Sequence, residues 1–204
     1  MDSALSPELS PDRFIAPTVA ETAKIVIAGA FGVGKTTFVG SVSEVSPVHM
    51  EETITRASAL VDDLARTPSK ATTTVGVDFG RIHLGDALVL YLFGTPGQVR
   101  FSFLWQELIV GALGALVLVD PRDLDVSHEV LGLLEENGVP YAVAVNQFDG
   151  APHHPLEEIH EALALEGHTP LTMCDARERA SCMQALIQLT EYLARLAHPL
   201  EPRP

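Results

Sequence analysis

The chain has 204 residues, of which 47% are hydrophobic and 20% charged, a composition that predicts one folded domain and excludes a wholly disordered chain. Its formal net charge of −14 repels polyanions, so we expect no nucleic acid partner. Two cysteines are too few for a disulfide framework, and the longest apolar stretch, residues 108–119, is too short to cross a bilayer, so we expect a cytoplasmic protein without integral membrane association.

The chain begins with a segment unlike the rest. Residues 1–22 carry Ser and Pro at short intervals and predict a flexible N-terminal tail, with a docking peptide as the alternative interpretation. Residues 23–198 are predicted to form the folded domain, and residues 199–204 a short C-terminal tail.

From Lys24 onward, apolar runs mark the first elements. KIVIAG is a short apolar run ending in glycine, which predicts a buried parallel strand, and residues 35–44 predict a helix. Residues 45–73 hold no clear strand and are predicted to form a long loop, a feature that is often functional. Residues 74–84 alternate in polarity, and with the turn at Gly85–Asp86 and residues 87–93 they predict a β-hairpin.

The second half of the chain alternates helices and strands. The predicted helices are residues 101–110, a segment ending at 137–138, residues 156–163 and an amphipathic helix over residues 182–196. The predicted strands are residues 115–120, 141–146 and 170–174. This order predicts an α/β fold with a six-stranded, mixed but mostly parallel sheet and about five helices on its two faces.

A phosphate-binding motif follows the first strand. The sequence GAFGVGKT matches G-x-x-x-x-G-K-[ST], and it lies between a predicted strand and a predicted helix, as a P-loop requires. The glycines let backbone N–H groups surround phosphate oxygens, Lys35 is predicted to reach the β- and γ-phosphates, and Thr36 to ligate Mg²⁺. The predicted phosphate-binding residues are Gly29, Ala30, Phe31, Gly32, Val33, Gly34, Lys35, Thr36 and Thr37.

Two later segments indicate which base is bound. Asn146, Gln147 and Asp149 follow a predicted strand and therefore lie at the sheet edge where such folds bind ligands. A carboxylate there accepts hydrogen bonds from guanine N1–H and the 2-amino group, a donor pair that adenine lacks, and an Asn amide reaches O6 and N7. The segment Cys174, Asp175 and Ala176 ends the last strand, and the Ala176 N–H is a candidate donor to O6.

With these motifs the chain resembles a Ras-like small GTPase over residues 24–197. TTVGVDF resembles switch I, which implies that Thr74 ligates Mg²⁺ and senses the γ-phosphate. GTPGQ resembles switch II, which implies that the Gly97 N–H meets the γ-phosphate and that Gln98 positions the attacking water. Gln98 and Lys35 are the candidate catalytic residues, with GTP, GDP and Mg²⁺ as the implied cofactors.

Within that superfamily, FGTPGQ, VNQFDG and CDAR are most similar to the actinobacterial conservon-type (CvnD-like) ATP/GTP-binding proteins, which are related to the bacterial MglA-type GTPases. The resemblance implies a roadblock/LC7-type protein and other conservon-type signalling proteins as partners. It also implies a cytoplasmic switch that reports its nucleotide state to them.

Three positions depart from the family pattern. Gly94 stands where switch II has an Asp that orders the Mg²⁺ shell, and Asp78 or Asp120 are the possible substitutes. Gln147 replaces a Lys whose stem covers the base, and Phe31 places a ring beside the γ-phosphate, where it obstructs an arginine supplied by a partner. Arginines within the chain that lie in or beside the switches are Arg56, Arg66 and Arg100.

These observations predict a GTP-binding molecular switch with slow GTP hydrolysis. Gly94 and Phe31 leave open a pseudo-GTPase that acts as a protein-interaction scaffold with weak or no hydrolysis. An ATP-using phosphotransferase on the same P-loop is a further alternative, and the NQFD and CDA segments argue against it.

Overall fold

The computed structural model describes residues 19–46, 48–55, 72–97 and 102–198. The strands among these residues are β1 (Glu21–Ala28), β2 (Val48–Thr55), β3 (Thr72–Leu84), β4 (Leu88–Gly94), β5 (Gly114–Val119), β6 (Tyr141–Asn146) and β7 (Leu171–Cys174). The α-helices are α1 (Lys35–Val42), α2 (Ser102–Ile109), α3 (His128–Glu136), α4 (Leu156–Ala162) and α5 (Arg179–Ala197), and a 3₁₀ turn (Asp125–Ser127) leads into α3.

The strands form one mixed sheet in the order β2-β3-β4-β1-β5-β6-β7. Strand β1 pairs in parallel with β4 and β5, and the parallel ladder continues through β6 to β7. The β3–β4 hairpin and the β2–β3 pair are antiparallel. The predicted mostly parallel α/β sheet with helices on both faces is confirmed, and β2 adds a strand to the six that the sequence predicts.

The sequence predicts a long loop without a strand over residues 45–73. This prediction is wrong at Val48–Thr55, which forms β2. Strand β2 pairs residue by residue with β3, from Val48 opposite Phe79 to Thr55 opposite Thr72. It lies at the edge of the sheet and has one partner, so it needs no continuous apolar run of the kind that marks a buried strand. Its sequence, VHMEETIT, has two glutamates at its centre, and these charged residues interrupt the apolar pattern by which a buried strand is predicted.

Two hydrophobic cores lie on opposite faces of the sheet because side chains alternate along each strand. In β1, Ile25 and Ile27 belong to the core that α1 and α5 cover, where Phe38 and Leu186 are fully buried. The neighbouring Val26 belongs to the opposite core, beneath α2, α3 and α4. Helices thus cover both faces, and the helices predicted from the sequence all appear.

The parallel strands bring the predicted motifs to one edge of the sheet. Strands β1, β5, β6 and β7 run in the same direction, so the loops that follow them meet at their carboxyl ends. These loops hold the P-loop, Asp120, the NQFD segment and the CDA segment in that order. None of the helices within the described ranges is long and apolar enough to cross a membrane.

Candidate functional site

The P-loop connects β1 to the first turn of α1. Gly34 is the N-cap of α1 and has φ 104°, a left-handed conformation that favours glycine. A Cβ atom at Gly34 would lie 2.6 Å from Nδ2 of Asn146, so only glycine lets the P-loop and the NQFD segment approach this closely. The α1 N-terminus, with Thr36 and Thr37 in its first turn, faces the carboxyl edge of the sheet and is suited to an anion.

Lys35 folds back over the P-loop. Its Nζ donates hydrogen bonds to the carbonyl oxygens of Gly29 at 2.8 Å and Ala30 at 2.6 Å. Burial of the ammonium group lowers the pKa of Lys35 to about 8, and the nearby Asp78 carboxylate opposes that shift. A phosphate group at this position restores a close anionic partner to a cation that the fold has desolvated.

Asp78 lies beside the P-loop threonine. The Thr36 hydroxyl donates a hydrogen bond to Oδ2 of Asp78 at 2.6 Å. Asp78 on β3 is the direct ladder partner of Gly94 on β4, and a Cβ atom at position 94 would lie 3.0 Å from the Asp78 Cβ and 3.1 Å from its Oδ2. A side chain at Gly94 would therefore displace the Asp78 carboxylate.

Of the two possible substitutes for the missing switch II acid, the structure thus brings Asp78 to Thr36. Asp120 instead binds the Arg122 guanidinium, with Nη2 to Oδ2 at 2.6 Å and Nε to Oδ1 at 2.9 Å. These hydrogen bonds lower the pKa of Asp120.

Of the predicted switch residues, Gly97 lies at the P-loop and Thr74 does not. Gly97 packs on the P-loop, since a Cβ atom there would lie 2.6 Å from the Cα of Phe31 and 2.8 Å from Nζ of Lys35. The backbone of Thr74 is part of β3, opposite Thr53 of β2. It lies four residues before Asp78, about 13 Å along the strand, and so is not brought to Thr36 in this conformation.

Other switch residues lie outside the described ranges. They are Gln98, Arg56, Arg66 and Arg100. Phe31 is 76% exposed, so its ring projects from the P-loop into open space.

Asn146 ties the base side of the site to the P-loop. Its Nδ2 donates to the Val33 carbonyl at 2.8 Å, and its Oδ1 accepts from the Ala176 N–H at 2.9 Å. Both side-chain polar atoms thus bind backbone, whereas the sequence predicts that Asn146 and the Ala176 N–H contact the base directly. In this structure Asn146 is a bridge between two loops.

The same region has two further links. The Gln147 N–H donates to the carbonyl of the buried Cys174 at 2.8 Å, and the Ser41 hydroxyl on α1 donates to the Ala176 carbonyl at 2.5 Å. Direct hydrogen bonds therefore hold the base-side loops to one another and to α1.

Asp149 and Asp175 share one arginine. Nη1 of Arg177 lies 3.1 Å from both carboxylate oxygens of Asp149, while Nε and Nη2 bind Asp175 at 2.9 and 2.8 Å. These bonds lower the pKa of Asp175, and they keep two carboxylates side by side without repulsion. The Asp149 side chain is 89% exposed, so its pair with Arg177 is weak and yields readily to a ligand.

Sequence reasoning gave Arg177 and Ser41 no role. Arg177 follows the CDA segment directly and lies two residues after Asp175. This spacing is the sequence feature that could have indicated an ion pair at the base side. Ser41 lies on α1, far along the chain from Ala176, and no sequence pattern connects the two.

Comparison with known proteins supports the assignment of a nucleotide site. A protein-family model described as "Conserved hypothetical ATP binding protein" matches residues 27–195. An uncharacterized protein of Methanocaldococcus jannaschii is 31% identical over 128 residues, which cover 62% of this chain and 70% of that protein. The ADP-ribosylation factor-related protein 1 of Rattus norvegicus is 27% identical over 132 residues, 61% of this chain and 59% of that protein.

Solved structures show the same fold. The cytosolic domain of the FeoB iron transporter of T. maritima, in a GDP form, superposes with a TM-score of 0.61 at 16% identity. The similarity covers 90% of this chain and 67% of that structure, and at this identity it shows the fold alone. The chain is thus a P-loop nucleotide-binding protein with the fold of a G domain.

Proposed function

The chain belongs to the family described as conserved hypothetical ATP binding proteins, and we propose that it acts as a GTP-binding switch that hydrolyses GTP slowly. The observation that carries this proposal is the Asn146 bridge, which places the CDA segment and the neighbouring Asp149 beside the P-loop. A nucleotide whose phosphates occupy the P-loop then extends its base towards an exposed carboxylate.

The base-side chemistry favours guanine over the adenine that the family description names. An ionised Asp149 only accepts hydrogen bonds, and guanine offers N1–H and the 2-amino group side by side. Adenine offers no such pair on its Watson–Crick edge. The ion pair with Arg177 is exposed and costs little to rearrange, so the carboxylate is available to the base.

Thr36 and Asp78 are the residues that would hold Mg²⁺. A hydroxyl and a carboxylate at 2.6 Å form an oxygen donor set of the kind that Mg²⁺ prefers, and phosphate oxygens complete it. When bound, Mg²⁺ neutralises charge on the β- and γ-phosphates. Asp78 would do the work of the acid that Gly94 lacks, from the neighbouring strand.

The switch would act through residues on β3 and after β4. For Thr74 to sense the γ-phosphate, residues 72–76 must leave the ladder with β2, because Thr74 now lies about 13 Å along the strand from Asp78. Gly97 already packs on the P-loop, where its N–H would meet a γ-phosphate. Gln98 is the proposed residue that orients water, and Lys35 stabilises charge on the phosphates.

The proposed readers of the switch are a roadblock/LC7-type protein and other conservon-type signalling proteins. This part of the proposal is supported by the resemblance of FGTPGQ, VNQFDG and CDAR to conservon-type and MglA-type GTPases. Such a partner would prefer one nucleotide state, since the γ-phosphate rearranges the segments it contacts.

The Asp149→Asn variant tests the base assignment. Its side-chain amide donates where the carboxylate accepted, so one bond to the 2-amino group is lost. Charge-assisted hydrogen bonds contribute roughly 1.5–3 kcal/mol, and we expect GTP affinity to fall about tenfold to a hundredfold. Xanthosine triphosphate carries an oxygen at position 2, and its affinity should rise relative to GTP. Competition binding with GTP, xanthosine triphosphate and ATP measures the order.

The matched control is Asp86→Asn, which removes the same charge in the exposed β3–β4 turn. It should leave all three affinities unchanged. If the order of preference among the three nucleotides is the same in Asp149→Asn and the wild type, Asp149 does not read the base. Tighter binding of ATP than of GTP by the wild type would instead support the ATP-using alternative.

Phosphate release separates the switch from a pseudo-GTPase. Under single-turnover conditions, the wild type loaded with GTP should release phosphate slowly and in proportion to the bound nucleotide. Bound GTP that is recovered intact after prolonged incubation with Mg²⁺ would leave a nucleotide-binding scaffold.

A further inference from the structure

A groove runs beside the P-loop on the face of the sheet that α2 and α3 cover. It has a volume of about 800 Å³ and is bounded by the P-loop at Phe31, by Pro96 and Gly97 after β4, and by α3. It contains none of the base-side residues, but its lining includes Gly29, Ala30, Phe31, Val33 and Gly97 of the proposed phosphate site, so it adjoins the phosphates and not the base.

Apolar side chains line the groove and stay in contact with solvent. Phe31 is 76% exposed and Val126 is 45% exposed, and both belong to the small set of large hydrophobic side chains exposed among the described residues. Trp105 lies beneath them, buried, with its indole N–H donating to the Pro96 carbonyl at 3.2 Å. Phe31, Val126 and Trp105 line the same groove, and contiguous exposed apolar surface marks interaction sites.

One face of α3 forms a wall. Glu129, Gly132, Leu133 and Glu136 all line the groove, and their spacing places them on one stripe of the helix. A Cβ atom at Gly132 would meet nothing within 4 Å. Glycine in a helix interior destabilises the helix relative to alanine, and no packing inside the described structure requires it here. It leaves a notch that lets another backbone come close.

The rim of the groove is acidic. Asp123, Asp125, Glu129 and Glu136 line it, none of them forms an ion pair with a described residue, and no Lys or Arg is among the described residues of the lining. Unpaired carboxylates around an apolar floor complement a segment that has apolar side chains on one face and cations beside it.

We propose that this groove binds a basic amphipathic helix of a partner protein. Its apolar side chains would pack between Phe31, Val126 and Leu133, and its Lys and Arg would meet the acidic rim. The groove follows α3 over successive turns and has a glycine notch at its centre, which suits helix-in-groove recognition with anchors at i, i+3, i+4 and i+7.

No helix among the described residues supplies such a segment. It has 13 Lys and Arg against 27 Asp and Glu, so a second copy is electrostatically disfavoured. Its longest described helix, α5, has Arg179 and Arg195 as its basic residues, too few to form a cationic row. The N-terminal segment 1–18 has a single basic residue, Arg13, and three acidic ones.

A synthetic helix is the probe. A tryptophan-free peptide of about 18 residues, five helical turns, carries Leu at i, i+3, i+4 and i+7 and Lys or Arg on the flanks. Trp105 is the single tryptophan of the chain and lies in the groove, so its fluorescence reports binding at this place. Anisotropy of a labelled peptide gives the affinity. We expect saturable binding with a change in Trp105 emission, and weaker binding at high salt.

Two variants remove the groove in different ways. Glu129→Lys/Glu136→Lys reverses the rim, and Gly132→Phe fills the notch where the structure has open space. Each should weaken peptide binding about tenfold or more, with circular dichroism like that of the wild type. The matched control, Glu157→Lys/Glu161→Lys, makes the same change of net charge on the exposed surface of α4 and should bind like the wild type.

The proposal is overturned if the peptide does not bind, if the α4 control loses as much affinity as the rim variant, or if Gly132→Phe binds as well as the wild type. The measurement is made on protein stripped of nucleotide and repeated with GDP. A failure of the proposed GTP switch would therefore leave the peptide result unaffected, and the two ideas are tested separately.

Discussion

The two halves of the nucleotide site differ in how many of their residues are joined by direct contacts. On the base side, Asn146 joins the P-loop to Ala176, and Ser41 binds the same residue from α1. On the switch side, Thr74 is paired within the β2–β3 ladder, remote from Thr36, and only Asp78 and Gly97 are in place.

Under the proposed function, the base side would provide affinity for the nucleotide and the switch side would provide the response to the γ-phosphate. A preformed base side costs little ordering when a nucleotide binds, so it would contribute similar affinity in every nucleotide state. In the proposed switch, residues 72–76 exchange β-ladder bonds for phosphate contacts, so they would respond only to a ligand that supplies the γ-phosphate. Lys35 lies at the junction of the halves, since it contacts the P-loop carbonyls and faces Asp78.

The largest effect on nucleotide affinity is expected from Lys35→Ala, which removes the ammonium group that contacts the P-loop carbonyls near Asp78. The side chain points to the phosphate site, so the variant should keep the circular dichroism of the wild type and lose about a hundredfold or more in affinity for GDP and GTP alike. Isothermal calorimetry measures it. Lys24→Ala is the matched control: Lys24 lies on β1, and its Nζ donates to the Val110 carbonyl, away from the P-loop. Nucleotide affinity like that of the wild type in Lys35→Ala would reject the phosphate site.

A smaller effect is expected on the switch side. Asp78→Gly removes the carboxylate next to Thr36, and we expect nucleotide affinity in the presence of Mg²⁺ to fall about tenfold, with little change in EDTA. The double variant Asp78→Gly/Gly94→Asp returns a carboxylate to β4 after the clash at position 94 has been removed.

The double variant should recover most of the Mg²⁺-dependent affinity. Asp120→Asn, which breaks the pair with Arg122, serves as the control and should leave the Mg²⁺ dependence unchanged. Equal Mg²⁺ dependence in Asp78→Gly and the wild type would show that Asp78 does not serve the metal.

The smallest effect is a pH dependence of binding. In the free protein burial lowers the pKa of Lys35 to about 8, and phosphate charges raise it in the complex, so binding takes up a proton near that pH. Affinity is full below pH 8 and is lost as the pH rises through 8, by about threefold between pH 7.5 and 8.5. Calorimetry in buffers with different ionisation enthalpies measures the uptake. Binding without proton uptake in this range would contradict a lowered pKa of Lys35 in the free protein that phosphate reverses.

Most of the fold follows from local patterns. The alternation of apolar runs and amphipathic segments predicted both faces of the sheet, because each parallel strand is buried between helices and reads as an apolar run. Strand β2 escaped prediction because an edge strand, paired on one side with β3, has no such pattern. The seventh strand of the sheet is therefore recognised only from its pairing with β3 in the tertiary structure.

The sequence by itself determined that a P-loop follows β1 and that it lies at the carboxyl edge of the parallel strands. A P-loop between a strand and a helix is local chemistry, and parallel strands bring the loops that follow them to one edge wherever they stand in the chain. The sequence therefore predicts that Lys35 and Asp149, the proposed phosphate and base contacts, lie at one edge of the sheet.

Only the tertiary structure decided which side chains meet inside that edge. The sequence left Asp78 and Asp120 as alternatives, and the structure brings the Asp78 carboxylate, rather than that of Asp120, to the Thr36 hydroxyl. The sharing of Arg177 by two carboxylates and the use of both Asn146 polar atoms by backbone likewise arise between loops distant in sequence. Contacts between loops distant in sequence are long-range properties that no local pattern encodes, whereas the β3–β4 register follows from the length of the hairpin turn.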